Sequence, residues 1–232
     1  MKKTTTVAFV RVEGTLVDRG VLSASAYIAS NGQGLSERLF RLGQVALTVP
    51  VYSLLGQNDR VLANRLAFVA ARGMSEDRLA VLGEEYVEDI LKERLLDSGI
   101  ELLKKAKTAG HQIVLLSEGI DPFIRPLITH LADKLDIDDL TQSLVCNTLE
   151  LRAGEATGRL LDPVVGGHDS GRWASQYAQE HGVDLERSVA YAAHGPDMLL
   201  LAAVGNPCAV NPDYTLRRAA SQADWPIMEY TL

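Results

Sequence analysis

The chain has 232 residues, 47% of them hydrophobic and 23% charged, which excludes a disordered polypeptide. Its 23 lysines and arginines stand against 30 aspartates and glutamates, a formal charge of −7. With no basic run, general nucleic-acid binding is not expected. The length suits a medium core domain that carries an inserted segment. Cys146 and Cys208 lie in apolar runs and form neither a metal-ligand spacing nor a disulfide framework. They read as buried free thiols of a reducing, cytoplasmic compartment. The basic start, Met1 to Thr6, is followed only by Val7-Ala8-Phe9-Val10 before Arg11, too short for a signal-peptide core of about 7–15 residues.

In chain order, Thr6 to Val12 is a short apolar run ending in Glu13-Gly14-Thr15, which predicts a buried strand and a turn. From Ser23 to Leu96 the spacing is helical, with Ser75 placed to cap a helix. Within it, Leu42 to Asn58 carries no charge but contains Gly43, Pro50 and Gly56, and falls short of the roughly 20 apolar residues of a membrane span. It reads as a buried helix, with a partner or membrane-surface contact as the alternative. Gly99 to Ala109 then predicts a helix, His111 to Ser117 a strand and Pro122 to Lys134 a helix. Ser143 to Leu151 and Ala156 to Leu160 flank Arg152-Ala153-Gly154-Glu155 and predict a hairpin. Gly171 to His181 is a helix, Ser188 to Ala192 a strand, Pro196 to Val204 a helix, Pro207 to Val210 a strand, and Tyr214 to Gln222 a last helix. Strands alternating with such helices imply an α/β fold with a mainly parallel sheet and helices on both faces. Ligands of such sheets bind beyond the carboxyl ends of the strands, here Arg11 to Thr15, Ser117 to Gly119 and Ala192 to Asp197.

Those strand ends resemble the motifs of the haloacid dehalogenase superfamily, in its phosphoserine-phosphatase-like branch. Val10-Arg11-Val12-Glu13-Gly14-Thr15-Leu16 resembles the first motif, Asp-x-Asp-Gly-Thr-Leu after an apolar strand. Leu115-Leu116-Ser117 resembles the second, and Thr157-Gly158-Arg159-Leu160 precedes the third. Ala190 to Asp197 resembles the fourth, and Val204 to Asp213 with Trp225-Pro226-Ile227 resembles the branch's tail. The resemblance runs from about Val7 to Met228. It implies a Rossmann-like core over 1–18 and 98–232, with an α-helical cap over 19–97 inserted after the first strand.

The resemblance also implies a set of reacting groups, and several are replaced. The family's nucleophilic aspartate falls on Arg11, which is always protonated and has no lone pair to offer. The second aspartate, the proton donor and acceptor, falls on Glu13. The phosphate-binding hydroxyl is kept as Ser117, the lysine falls on Ser170 with Arg172 nearby, a Mg²⁺ ligand falls on Ala193, and the last aspartate is kept as Asp197. The resemblance therefore implies a pseudo-phosphatase with no resident metal or other cofactor, because Mg²⁺ is held through carboxylates and substrate oxygens.

Three roles follow. The first is binding or regulation. Arg11 pairs with Glu13 or Asp197 to neutralise the pocket, or else Arg11, Glu13, Gly14, Thr15, Ser117, Glu118, Gly119, Arg172 and His194 receive the anion of a phosphorylated small molecule or protein. The second is residual hydrolysis with Glu13 as base, assisted by Ser117 or by His194, which stands where the family has a small hydroxyl residue. The third is a partner, lipid-surface or homodimer contact through the apolar residues 39–55 of the cap. His111, His130, His168 and His181 fall on helix ends or loops and are assigned no role.

Overall fold

The computed structural model describes residues 5–167 and 169–230; the first four residues, His168, Thr231 and Leu232 lie outside them. After β1 (Val7–Arg11) come α1 (Val21–Ser30), α2 (Leu35–Leu55), α3 (Arg60–Ala67) and α4 (Glu76–Tyr86), then short irregular turns of helix to Arg94. The chain continues through α5 (Asp97–Thr108), β2 (Gln112–Ile120), α6 (Asp121–Leu135), β3 (Leu144–Asn147), β4 (Leu149–Arg152) and β5 (Glu155–Leu160). It closes with α7 (Asp169–His181), β6 (Val189–Ala192), α8 (Met198–Ala202), β7 (Asn206–Val210), α9 (Tyr214–Gln222) and β8 (Ile227–Met228).

Among the described residues, six strands form one sheet in the order β3-β2-β1-β6-β7-β8, and every neighbouring pair is parallel. The two-residue period of β1 assigns its side chains to two cores. Ala8 and Val10 join Ile113 and Leu115 against α6 and the helices between β1 and β2. Val7 and Phe9 join Val114 and Leu116 against α7, α8 and α9, where Phe9 meets Trp173 and Tyr177 edge-on. This is the mostly parallel α/β fold that the alternation of elements predicts.

Chain direction across the sheet reverses at β1, which lies between β2 and β6. Such a switch point leaves a crevice at the carboxyl ends of the central strands. Arg11 to Gly14, Ser117 to Gly119 and Ala193 to Asp197 meet there.

Two readings of the sequence need correction. The predicted hairpin arm Ser143 to Leu151 is two strands: β3 pairs with β2 in the large sheet, and only β4 pairs with β5. Asn147 makes the break. Its amide donates to Glu118 O at 2.7 Å and accepts from Val165 N at 2.7 Å, which ties the end of β3 to two neighbouring segments. The second correction concerns α2, which is not a buried helix. It buries only Arg41, Val45 and Tyr52, while Leu35, Leu39, Phe40, Leu47 and Leu54 are more than 60% exposed. The polar side faces the protein because Arg41 donates to Ala70 O and pairs with Glu37, and the Tyr52 hydroxyl donates to Asn64 at 3.1 Å. No helix among the described residues is long and apolar enough to cross a membrane.

Candidate functional site

Arg11 ends β1 with its side chain 1% exposed. Its guanidinium lies 2.9 Å from Glu118 Oε1, 3.1 Å from Asp197 Oδ1 and 4.0 Å from Glu13 Oε2. Burial alone would lower the Arg11 pKa, but Asp197, Glu118 and Glu13 outweigh it and raise the pKa above its usual value. Arg60, from α3, reaches the other oxygen of Glu118 at 2.8 Å and lies over the Tyr52 ring, 5.1 Å from its centroid. One carboxylate on β2 thus joins a cation of β1 to a cation of the helical segment. Two guanidinium groups face three carboxylates, and burial pushes the Asp197 pKa up against the opposing pull of Arg11. A proton on Asp197 would make the cluster neutral.

Glu13 is held separately. Its carboxylate accepts from the Ser117 hydroxyl at 2.5 Å, from Glu118 N at 3.1 Å and from Gly119 N at 3.3 Å. These donors form a small oxyanion cradle, which the chain fills with its own carboxylate. Gly119 also donates to Ser117 Oγ at 3.0 Å, and a Cβ there would sit 2.4 Å from Ile124 Cγ1.

Gly14 turns the chain behind Glu13 at φ +79°, where a Cβ would lie 2.6 Å from Ala193 Cβ and 2.8 Å from His194 Nε2. His194 Nδ1 is 3.7 Å from Asp213 Oδ2, too long for a hydrogen bond. Burial would raise Asp213, but His194 and the backbone N–H groups of Leu216 and Gly195 bring its pKa down to about 2. Asp213 also caps α9, accepting from Leu216 N at 2.8 Å. Thr15 Oγ1, Arg11 Nε and Arg11 Nη1 are buried without a hydrogen-bond partner, as is Asp197 Oδ1, whose contact with Arg11 is close but poorly aligned. A cleft of about 430 Å³ opens onto Glu13, Gly14, Tyr52, Arg60, His194 and Asn211.

The structure therefore brings Arg11, Glu13, Gly14, Thr15, Ser117, Glu118, Gly119, Ala193, His194 and Asp197 to one strand-end site. It does not bring Arg172 there: that side chain is 87% exposed and lies 4.0 Å from Asp169. Ser170 is buried, donates to Gly167 O at 2.8 Å and lines a separate, largely apolar cleft with Leu116, Val145 and Trp173. Arg60, Tyr52 and Asp213 belong to the site and were not singled out from the sequence. Burial pushes the free thiols up, Cys146 to about 12 and Cys208 to about 11, so both stay protonated near neutral pH.

A parallel α/β sheet with a polar cluster at its switch point defines the class of the protein as a strand-end-site α/β fold. The model of the haloacid dehalogenase-like hydrolases matches residues 12–202, and the chain belongs to that family. Phosphoserine phosphatase SerB1 of Mycobacterium tuberculosis is 28% identical over 235 residues, covering 98% of this chain and 72% of its own. A Bordetella pertussis protein of unknown function has a solved structure that superposes with TM-score 0.80 at 20% identity, over 97% of this chain and 99% of that one. A substrate-bound phosphoserine phosphatase superposes with TM-score 0.69 at 16% identity, over 99% of this chain and 95% of that one. At these identities the two structures speak for the fold.

Proposed function

We propose that this chain keeps the family's fold without its aspartyl-phosphate chemistry, and acts as a binding or regulatory protein whose strand-end pocket is neutralised by its own side chains. The observation that carries this reading is the buried Arg11 guanidinium between Asp197 and Glu118. A nucleophile is needed at that position for a covalent phosphoryl intermediate, and a guanidinium cannot serve. The Mg²⁺ that members of the family use does not fit these residues. Asp197 Oδ1 and both oxygens of Glu118 lie against fixed guanidinium groups, and the side chain of Ala193 offers no ligand atom.

Glu13 supports the self-neutralised version of the pocket over the anion-receiving one. The donors that would hold an external oxyanion are filled by its carboxylate. A ligand entering the cleft meets Arg60, His194, Tyr52 and Asn211 at the surface of the cluster, with Arg11 and Ser117 sealed beneath. The reading is tested by thermal unfolding and calorimetry with Mg²⁺ and inorganic phosphate. Expected are no saturable heat and no rise in Tm, since a ligand that binds only the folded state must stabilise it. A saturable rise with Mg²⁺ would overturn the reading of the pocket.

A further inference from the structure

We infer that the exposed face of α2 is a self-association surface, and that two copies of this chain pair antiparallel across it about a two-fold axis near Leu47. The inference is independent of the strand-end pocket. Helix α2 is inside out: Arg41, Val45 and Tyr52 face the protein, and Leu35, Leu39, Phe40, Leu42, Leu47, Val49, Val51 and Leu54 face solvent. A surface helix ordinarily does the reverse, and exposed apolar side chains in this number mark an interaction site.

Four observations select a second copy as the occupant. Phe40, Gln44, Leu47, Val51 and Leu54 follow a 4-3-4-3 spacing, the seam by which one helix packs along another, with one polar position that can fix register. The seam is self-complementary: antiparallel pairing about Leu47 sets Phe40 opposite Leu54 of the second copy, as an isologous contact requires. No charged residue occurs from 42 to 58, so two chains of net charge −7 can join here without like charges at the contact. The same stretch lacks the free basic flank of a membrane-surface helix, since Arg38 donates to Gly32 O and Arg41 is held by Glu37 and Ala70.

The test is sedimentation velocity on the full chain, with circular dichroism to check the fold of each variant. The parent should sediment as a dimer at micromolar concentration, and Leu47→Glu, at a 76% exposed position, as a folded monomer. Leu47→Cys should form a disulfide-linked dimer mapped to residue 47. Leu35→Cys should not, because its twin would lie about 36 Å away along the paired helices. A monomeric parent, a dimer that survives Leu47→Glu, or cross-linking at residue 35 in place of 47 would overturn the inference. So would a parent that stays monomeric but is captured by neutral phospholipid vesicles, which would assign the face to a lipid surface.

Discussion

Replacing Arg11 by methionine isolates the ion cluster. The side chain is 1% exposed and has two carboxylate oxygens near 3 Å. Removing one member of a buried ion pair costs about 3–5 kcal/mol, because the partner is left charged and dry. Two features set where in that range the loss falls. Glu118 keeps Arg60 at 2.8 Å, and Glu13 keeps its Ser117, Glu118 N and Gly119 N donors, so Asp197 bears most of the loss. Burial already raises the Asp197 pKa, so protonation relieves the cost. A raised folded-state pKa means that the folded state binds the proton more tightly, so stability falls as pH rises from the ordinary carboxyl value towards the raised one. Without Arg11 that window extends to higher pH. Urea unfolding of Arg11→Met should therefore show a deficit of about 3–5 kcal/mol at pH 7 that narrows near pH 5. Arg11→Met/Asp197→Leu, which removes both partners, should recover most of the loss. A single variant within about 1 kcal/mol of the parent, or a double variant no more stable than the single, would refute the reasoning.

Other outcomes follow from the same geometry. Glu13→Gln turns one oxygen of the cradle into a donor facing donors and should cost about 1–3 kcal/mol in thermal unfolding. Gly14→Ala forces a methyl group towards Ala193 and His194 at positive φ, so its unfolding midpoint in urea should drop by the equivalent of about 1–3 kcal/mol. Arg60→Ala releases the tie between α3 and β2, and hydrogen exchange should quicken in α2 and α3 more than in β6 or β7. Asp213→Asn should flatten the acid limb of the stability curve. A depressed pKa gives stability that is present above the unfolded value and lost as pH falls to about 2, so the parent and the variant should converge below that pH.

How much of this was legible in the sequence varies with range. The short apolar runs before Glu13-Gly14-Thr15 and Ser117 locate β1 and β2, and with β6 they place the pocket, because strand period and turn chemistry are local. The tie between Arg60 and Glu118 spans 58 residues, and nothing near either residue announces it. The exposure of α2 is not legible in the sequence, because apolar residues occur almost all round it. The buried side is chosen by a few polar contacts of Arg41 and Tyr52, which hydrophobic periodicity does not weigh. The split between β3 and β4 was hidden in a continuous strand-like run, where the side chain of Asn147 makes the break through distant backbone.

Hydrolysis of a generic aryl phosphate with Mg²⁺ tests the central claim most directly. Arg11→Asp/Glu13→Asp/Ala193→Asp, which reinstates the family's carboxylates at the strand ends, is run alongside. The account predicts no turnover by the parent above the protein-free blank, with activity confined to the reinstated variant. Mg²⁺-dependent turnover by the parent, abolished by Glu13→Gln or Asp197→Asn, would contradict it and return the strand-end pocket to the hydrolases.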